Sequence, residues 1–308
     1  MREALFLSGK GGTGKTSLAG AFAVLMKEEV LADCDVDAAN LHLLLAPRLV
    51  DEGDYEGSKV ARVDPDSCTQ CGRCREVCRF DAVSSELRID PFLCEGCGAC
   101  VTACPADAIG LEPRVSGRWF TAVTHFGPLA SAELYAGEET SGKLVSLVKQ
   151  KARALAEGER LERIVLDGSP GIGCPVIASA SGVTAAILVT EPSLSGLHDL
   201  ERILGVVRHF GIPAYLVVNK ADLSVELAER LEAFAEGHGL PLLGRIPYDE
   251  AVLRCLADGR SVVSESRSPA GEAMRAIYQR FVALQRGFAT ASGGGSASYC
   301  ARGEESTR

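Results

Sequence analysis

No apolar stretch in this 308-residue chain is long enough to cross a bilayer. The longest runs, such as Ala185 to Thr190, fall far short of the roughly 20 residues a membrane helix needs. A basic surplus is missing as well: the formal net charge is −9, and no basic stripe interrupts it. A nucleic-acid partner is therefore not expected. The N-terminus lacks the layout of a signal peptide and goes straight into a strand-like run. Without secretion, cysteines at metal-ligand spacing are expected to bind metal rather than pair as disulfides. The expected compartment is a reducing cytoplasm. With 46% hydrophobic residues, the chain can still build a sizeable core, as one large domain or two ordinary ones.

Two cysteine runs stand out against this background. Cys68, Cys71, Cys74 and Cys78 form one, and Cys94, Cys97, Cys100 and Cys104 the other, using eight of the twelve cysteines. Each reads C-x2-C-x2-C-x3-C, the ligand pattern of a bacterial ferredoxin with two 4Fe–4S clusters. In such ferredoxins the last cysteine of each run serves the other cluster. That assigns Cys68, Cys71, Cys74 and Cys104 to one cluster, and Cys94, Cys97, Cys100 and Cys78 to the second. Gly72, Gly96 and Gly98 would let backbone amides approach the sulfides. Pro105 follows Cys104, as the pattern asks, but Arg79 follows Cys78. The arginine adds positive charge and would raise that cluster's potential. The segment is an internal repeat, with Phe80-Asp81-Ala82-Val83 matching Ala106-Asp107-Ala108-Ile109.

A different motif opens the chain. Gly9-Lys10-Gly11-Gly12-Thr13-Gly14-Lys15-Thr16 matches the phosphate-binding loop, whose glycines let backbone N–H groups point at phosphate oxygens. Lys15 would reach the β- and γ-phosphates, and the Thr16 hydroxyl would ligate Mg²⁺. Gly9 to Thr16, with Ser17, are the candidate phosphate contacts. With Lys10 included, the loop resembles the deviant form found in the MinD/ParA/Mrp family, to which the nitrogenase iron protein belongs. The resemblance implies that Lys10 crosses a dimer interface to the partner's nucleotide. Asp33-Cys34-Asp35-Val36-Asp37 resembles that family's first switch. This implies Asp35 near the Mg²⁺ shell and Asp37 orienting the attacking water. Asp167-Gly168-Ser169-Pro170-Gly171 looks like its Walker B strand end and second switch, with Asp167 on Mg²⁺ through water. Asn219-Lys220-Ala221-Asp222 matches the N-K-x-D pattern that reads guanine in small G proteins, which keeps GTP open. In this family the asparagine contacts adenine instead. Pro247 and Tyr248 resemble the adenine-side loop. ATP is the expected nucleotide.

Around these motifs short apolar strands alternate with helices. Strands are expected at Ala4–Ser8, Val30–Asp33, Arg118–Val123, Ile164–Asp167, Ala185–Thr190, Ala214–Asn219 and Leu242–Ile246. Helices are expected at about Lys15–Lys27, Lys143–Ala156, Ser195–Phe210, Val225–Gly237 and Ala270–Leu284. Such alternation predicts an α/β fold with a doubly wound, mostly parallel sheet. The expected organisation is a discontinuous P-loop ATPase domain (1–56 and 113–288), a small α+β two-cluster ferredoxin insert (57–112) and a disordered tail (289–308). The stripe Met274, Ile277, Phe281 and Leu284 is what a packed terminal helix shows, so membrane attachment is not expected.

Cys34 and Cys255 are expected in the core, Cys174 buried at a helix start, and Cys300 idle in the tail. In the nitrogenase iron protein a cysteine placed like Cys174 holds a cluster shared across the dimer, so that role stays open. His125 and His198 are expected at the surface or in the core. The resemblance implies an ATP-hydrolysing, nucleotide-dependent homodimer, or a heterodimer with a similar ATPase, holding Mg²⁺ and two 4Fe–4S clusters. Its expected work is nucleotide-gated electron transfer to a partner protein or in metallocluster assembly. Two alternatives are a ParA/MinD-like positioning ATPase with redox-sensing clusters, and an iron–sulfur carrier of the Mrp kind.

Overall fold

The computed structural model describes residues 1–139 and 141–291, with side chains through residue 285. Eleven strands and ten α-helices follow one another in this stretch. Nine strands form one sheet. In chain order they are β1 (Arg2–Ser8), β2 (Val30–Asp33), β3 (Arg48–Tyr55), β6 (Gly117–Thr124), β7 (Gly127–Leu134), β8 (Arg163–Pro170), β9 (Ala185–Thr190), β10 (Ala214–Asn219) and β11 (Leu242–Ile246). Their spatial order is β11-β10-β9-β1-β8-β2-β7-β6-β3. From β11 to β7 every pairing is parallel. The β6 and β3 strands are antiparallel additions at one edge. The sheet is thus mostly parallel, as the alternation predicts. The expected strand at Arg118–Val123 proves to belong to the antiparallel edge.

Helices cover both faces, which is why the central strands read as unbroken apolar runs. On one face lie α5 (Ser141–Glu159), α6 (Cys174–Ala180), α7 (Leu194–His209) and α8 (Val225–Gly237), packed on Leu5, Leu7, Leu166 and Leu188. On the other lie α1 (Lys15–Met26), α2 (Leu41–Leu45), α9 (Glu250–Ala257) and α10 (Pro269–Ala291), packed on Ala4, Phe6, Val165 and Ile187. Met274, Ile277 and Phe281 of α10 are buried in this second layer. The stripe expected of a packed terminal helix is therefore core. No described helix is long and apolar enough to cross a membrane. Residues from 292 on, including most of the expected tail and Cys300, lie outside the described residues.

Strand β1 has β8 on one side and β9 on the other. The crossover through α1 runs toward β2, and the crossover through α6 runs toward β9. Chain direction across the sheet reverses at this point. Doubly wound sheets bind ligands in the crevice that such a reversal leaves at the carboxyl ends of the strands.

The cysteine runs lie outside this sheet. Strands β4 (Ser58–Val63) and β5 (Ile109–Arg114) pair antiparallel as a separate sheet, and between them sit two short helices, α3 (Arg73–Glu76) and α4 (Ala99–Ala103). The segment has its own small core of Ala61, Cys74, Ala82, Val83, Cys94 and Ile109. Strand β3 stays in the main sheet as far as Tyr55, which pairs with Gly117. The small sheet begins at Ser58, which pairs with Arg114.

Candidate functional site

The loop between β1 and α1 lies at the carboxyl edge. Gly12 and Gly14 have φ of 78° and 88°, which L side chains rarely adopt. At Gly14 there is also no room: a Cβ there would sit 2.1 Å from Asn219 Nδ2. That Nδ2 donates to the Thr13 carbonyl at 2.7 Å, tying the end of β10 to the loop. A cavity of about 700 Å³ opens over the loop. Its walls include Gly11 to Ser17, Asp35, Asp37, Asn219, Pro247 and Tyr248. The candidate phosphate, switch and base contacts therefore share one space, although they are spread over the whole sequence.

Lys15 is almost fully buried, and its Nζ lies 2.7 Å from Asp167 Oδ1 and 3.8 Å from Asp35 Oδ2. Burial would depress the lysine, but the charges on Asp167, Asp35 and Asp33 outweigh it and raise its pKa. Asp33 is fully buried, and burial with the charge on Asp167 pushes its carboxyl up to about 7. Three backbone N–H groups, from Asp35, Asn40 and Leu41, donate to Asp33 and oppose that shift. Burial likewise lifts Asp35 to about 6, against the pull of Lys15. Asp37 is exposed at the cavity rim. Two buried oxygens in the cradle, Thr13 Oγ1 and Asp167 Oδ2, have no hydrogen-bond partner among the described residues. Buried polar atoms without partners are costly. Here they fit a phosphate and a hydrated divalent cation, which Thr16, Asp35 and Asp167 have the right oxygens to hold.

Three candidates point elsewhere. Gly9 packs on Asp199, where a Cβ would lie 2.3 Å from the aspartate's own Cβ. Asp222 accepts the Tyr248 N–H at 2.7 Å and so braces the loop after β11. Lys10 bonds within its own chain, to Glu191 Oε1 at 2.7 Å, Ser195 Oγ at 3.0 Å and Ser193 Oγ at 3.2 Å. Glu191 also holds Lys220, which donates to the Gly12 carbonyl. Burial would raise the Glu191 carboxyl, but the bonds from Lys10 and Lys220 hold it below the usual range. Sequence reasoning missed Glu191, Ser193 and Ser195. The signal was an acid directly after the fully buried run Ala185–Thr190.

The cysteine runs are repeated in space as well as in sequence. Gln70 and Gly96 share φ near 60° (59° and 60°), Gly72 and Gly98 share 76°, and Asp81 and Asp107 share 51°. Cys78 lines one small cavity with Cys94, Cys97 and Cys100. Cys68 lines a second, open cavity of about 1050 Å³ with Gln70, Gly72 and Arg75. Cys74 is raised by burial, and charges on Cys68 and Cys71 act on it in the same direction. Cys100 stands in the same relation to Cys94 and Cys97. Backbone N–H groups of Ala61, Gln70 and Ala108 donate to the sulfurs of Cys94, Cys68 and Cys104 at 3.3 to 3.4 Å. Among the described residues, no three His, Cys, Asp or Glu side chains are placed as a single-ion site.

Cys34 and Cys255 are buried, as expected of core residues. Cys174 begins α6 but is exposed, which corrects the expectation that it is buried. The helix turns Val176, Ser179 and Ala180 inward, and Cys174 stands clear of them in the first turn. His125 and His198 are both at the surface.

A glycine-rich loop between strand and helix, a buried lysine among aspartates and a cavity at the carboxyl edge define a P-loop nucleotide-binding protein. The model of the CobQ/CobB/MinD/ParA nucleotide binding domain matches residues 4–262, and the chain belongs to that family. An uncharacterized protein of Methanocaldococcus jannaschii is 32% identical over 284 residues, which cover 89% of this chain and 94% of that one. The iron-sulfur cluster carrier protein of Deinococcus radiodurans is 27% identical over 169 residues, 51% of this chain and 47% of its own length. The septum site-determining protein MinD of Pyrococcus horikoshii, solved with Mg-ADP, superposes with a TM-score of 0.57 at 19% identity, covering 92% of this chain and 97% of that one. At that identity the likeness is one of fold.

Proposed function

We propose that the chain binds and hydrolyses ATP and that its nucleotide state controls electron transfer from two 4Fe–4S clusters. The electrons go to a partner protein or into an assembling metallocluster. The nucleotide half rests on the cradle: backbone amides and Lys15 for the phosphates, Thr16, Asp35 and Asp167 for Mg²⁺, and Asn219, Pro247 and Tyr248 toward the base. Asp37 at the rim is suited to orient water. Lys10, held by Glu191 in the single chain, is suited to move to a second copy once nucleotide assembles a dimer.

For the clusters, the all-thiolate donor sets fit. Cys94, Cys97, Cys100 and Cys78 share one cavity, which supports exchange of the fourth ligand between runs. Cys68, Cys71, Cys74 and Cys104 make up the other set. When bound, the clusters store and pass single electrons. The chain's own residues hold them, shield them partly from water and donate N–H groups to their ligands. Hydrogen bonds to sulfur and solvent exposure tune cluster potentials.

One observation carries the coupling. Val36, between Asp35 and Asp37, accepts the Leu134 N–H at 2.9 Å. The next residue, Tyr135, donates to the Ser116 carbonyl, and Ser116 donates to the Tyr55 carbonyl. Ser116 Oγ lies 2.7 Å from Ser58 Oγ, at the start of the small sheet. Arg114 pairs with Glu138 at 2.7 Å and also donates to the Pro91 carbonyl, three residues before Cys94. A switch segment that moves when γ-phosphate and Mg²⁺ arrive is thus hydrogen-bonded through to the cysteine module. Changed exposure or hydrogen bonding at a cluster changes its potential.

The test is redox titration by electron paramagnetic resonance, with Mg-ATP, Mg-ADP and neither. A shift of about 59 mV corresponds to a tenfold change in ATP affinity on reduction. Superimposable curves would remove gating. A second reading, handing whole clusters on, is favoured by the similarity to the iron-sulfur cluster carrier protein. Rapid loss of clusters to an apo-acceptor would select it.

A further inference from the structure

The two cysteine runs match in backbone but not in surface charge. Along α3 and the turn after it stand Arg73, Arg75 and Arg79; their counterparts in the second run are Ala99, Val101 and Pro105. The first run also carries Glu76 and Asp81, so its arginines are in excess. The second carries Glu95 and Asp107 and no basic residue. All three arginines are exposed, and among the described residues none pairs its guanidinium with an acid or an acceptor. Arg75 also lines the open cavity beside Cys68, together with Arg62, Arg88, Glu76 and Glu86. Cys71 and its counterpart Cys97 are both exposed. Each cysteine run therefore reaches solvent at an equivalent place, but only the first carries free arginines.

The chain as a whole is acidic, with a formal charge of −9, so this positive segment is not a by-product of composition. A guanidinium presents a fork of donors that matches carboxylates, and three unpaired ones on one short segment suit an acidic surface. An acidic partner is repelled by the chain's net charge and drawn to this segment, which biases its orientation at encounter. We propose that the exposed Arg73–Arg79 segment docks an acidic redox protein, which exchanges electrons with the clusters at the Cys68–Cys78 end. The inference rests on the clusters proposed above.

Small oxidants of opposite charge test it. Reduced, cluster-loaded protein is mixed in stopped flow with tris(oxalato)cobaltate(III), an anion, or hexaamminecobalt(III), a cation. Each Co(III) takes one electron to become Co(II), and a reduced cluster loses one. The triple variant Arg73→Gln/Arg75→Gln/Arg79→Gln is expected to react about tenfold more slowly with the anion at low ionic strength. Its rate with the cation should not fall, and the contrast should fade at high salt. Arg73→Ala, which copies Ala99, should slow the anion roughly twofold and covers loss of clusters in the triple variant. An unchanged anion rate in a variant of verified iron content overturns the proposal. So does salt-sensitive self-association that the triple variant loses, which would give the segment to a second copy. Wild-type protein that takes up no iron refutes the cluster reading itself, and this proposal with it.

Discussion

Replacing Lys15 by Met should destabilise the nucleotide-free protein by about 4 kcal/mol at pH 8 and by no more than about 1.5 kcal/mol at pH 5. Methionine keeps the length and apolar stem of the side chain and removes the charge. The ammonium lies 2.7 Å from Asp167, which is fully buried, and 3.8 Å from Asp35. Taking one partner from a buried pair costs roughly 3–5 kcal/mol, because the other charge stays uncompensated. One oxygen of Asp167 already lacks a donor, so little is at hand to take over.

Protonation limits that cost. Neutralising a carboxyl of ordinary pKa, about 3.9, takes about 1.36 kcal/mol for each pH unit above it. At pH 5 this is about 1.5 kcal/mol, and a proton replaces the lysine cheaply. At pH 8 it is about 5.6 kcal/mol, more than the buried charge costs, so the charge persists. The wild type already has the same sense of pH dependence. Asp33 is raised to about 7 and Asp35 to about 6. A carboxyl raised in the folded state adds stability below its unfolded pKa, and that stability is lost as pH rises through the folded value. Wild-type stability should therefore fall between roughly pH 4 and 7, and the variant should fall further. Trp119, the single tryptophan, lies on β6 and reports the main sheet. Urea unfolding followed by its fluorescence at both pH values gives the two differences. A loss below about 1 kcal/mol at pH 8, or one equal at both pH values, would refute a desolvated pair.

Anaerobically prepared protein should contain about eight iron atoms per chain, measured by metal analysis; stoichiometric zinc with little iron would count against the cluster reading. Lys15→Ala should abolish tight ATP binding in calorimetry. Lys10→Ala should keep binding but lose hydrolysis and nucleotide-driven dimerisation, since losing a transition-state contact lowers turnover more than affinity; normal turnover in that variant would exclude a role across the dimer. Arg114→Ala and Glu138→Ala should each shrink the ATP-induced change in cluster potential, and the double variant should shrink it no further. An additive double variant would mean that the pair transmits nothing.

The parallel half of the fold is legible because burial on both faces makes each strand a continuous apolar run. The expected ranges for β2, β9, β10 and β11 coincide with the strands observed. The edge is a different matter. Arg48–Tyr55 carries Asp51, Glu52 and Asp54 and is exposed over most of its length. Gly127–Leu134 contains Pro128, Ser131 and Glu133. Charge suits the edge strand β3, whereas β7 lies between β2 and β6 and carries its proline near its start; in both, these residues break the apolar pattern by which strands are read. The exposure of Cys174 was hidden for a similar reason. Its neighbours predict a helix start but not which way the first turn faces.

The site divides along the same line. Gly12, Gly14 and Lys15 lie in one short segment whose spacing carries its own geometry. The contacts that set the chemistry of that segment come from far away in the chain. Asp167 meets Lys15 across 152 positions, Asn219 meets Thr13 across 206, and Ser193 meets Lys10 across 183. Their shared feature is a place in the last half of a parallel strand or in the loop just after it, so strand ends are where a reader of the sequence should look for them. The cysteine module shows the converse. Its two runs are local enough to repeat in backbone angle as well as in spacing, so the repeat is legible and the departures from it are legible too. Charge is free to differ between the halves because it sits on exposed positions that the repeat does not constrain. The result is a pseudo-symmetric unit with an asymmetric surface: arginines in one run stand where the other has Ala99, Val101 and Pro105. If the proposed clusters are present, that asymmetry would favour approach at one run over the other.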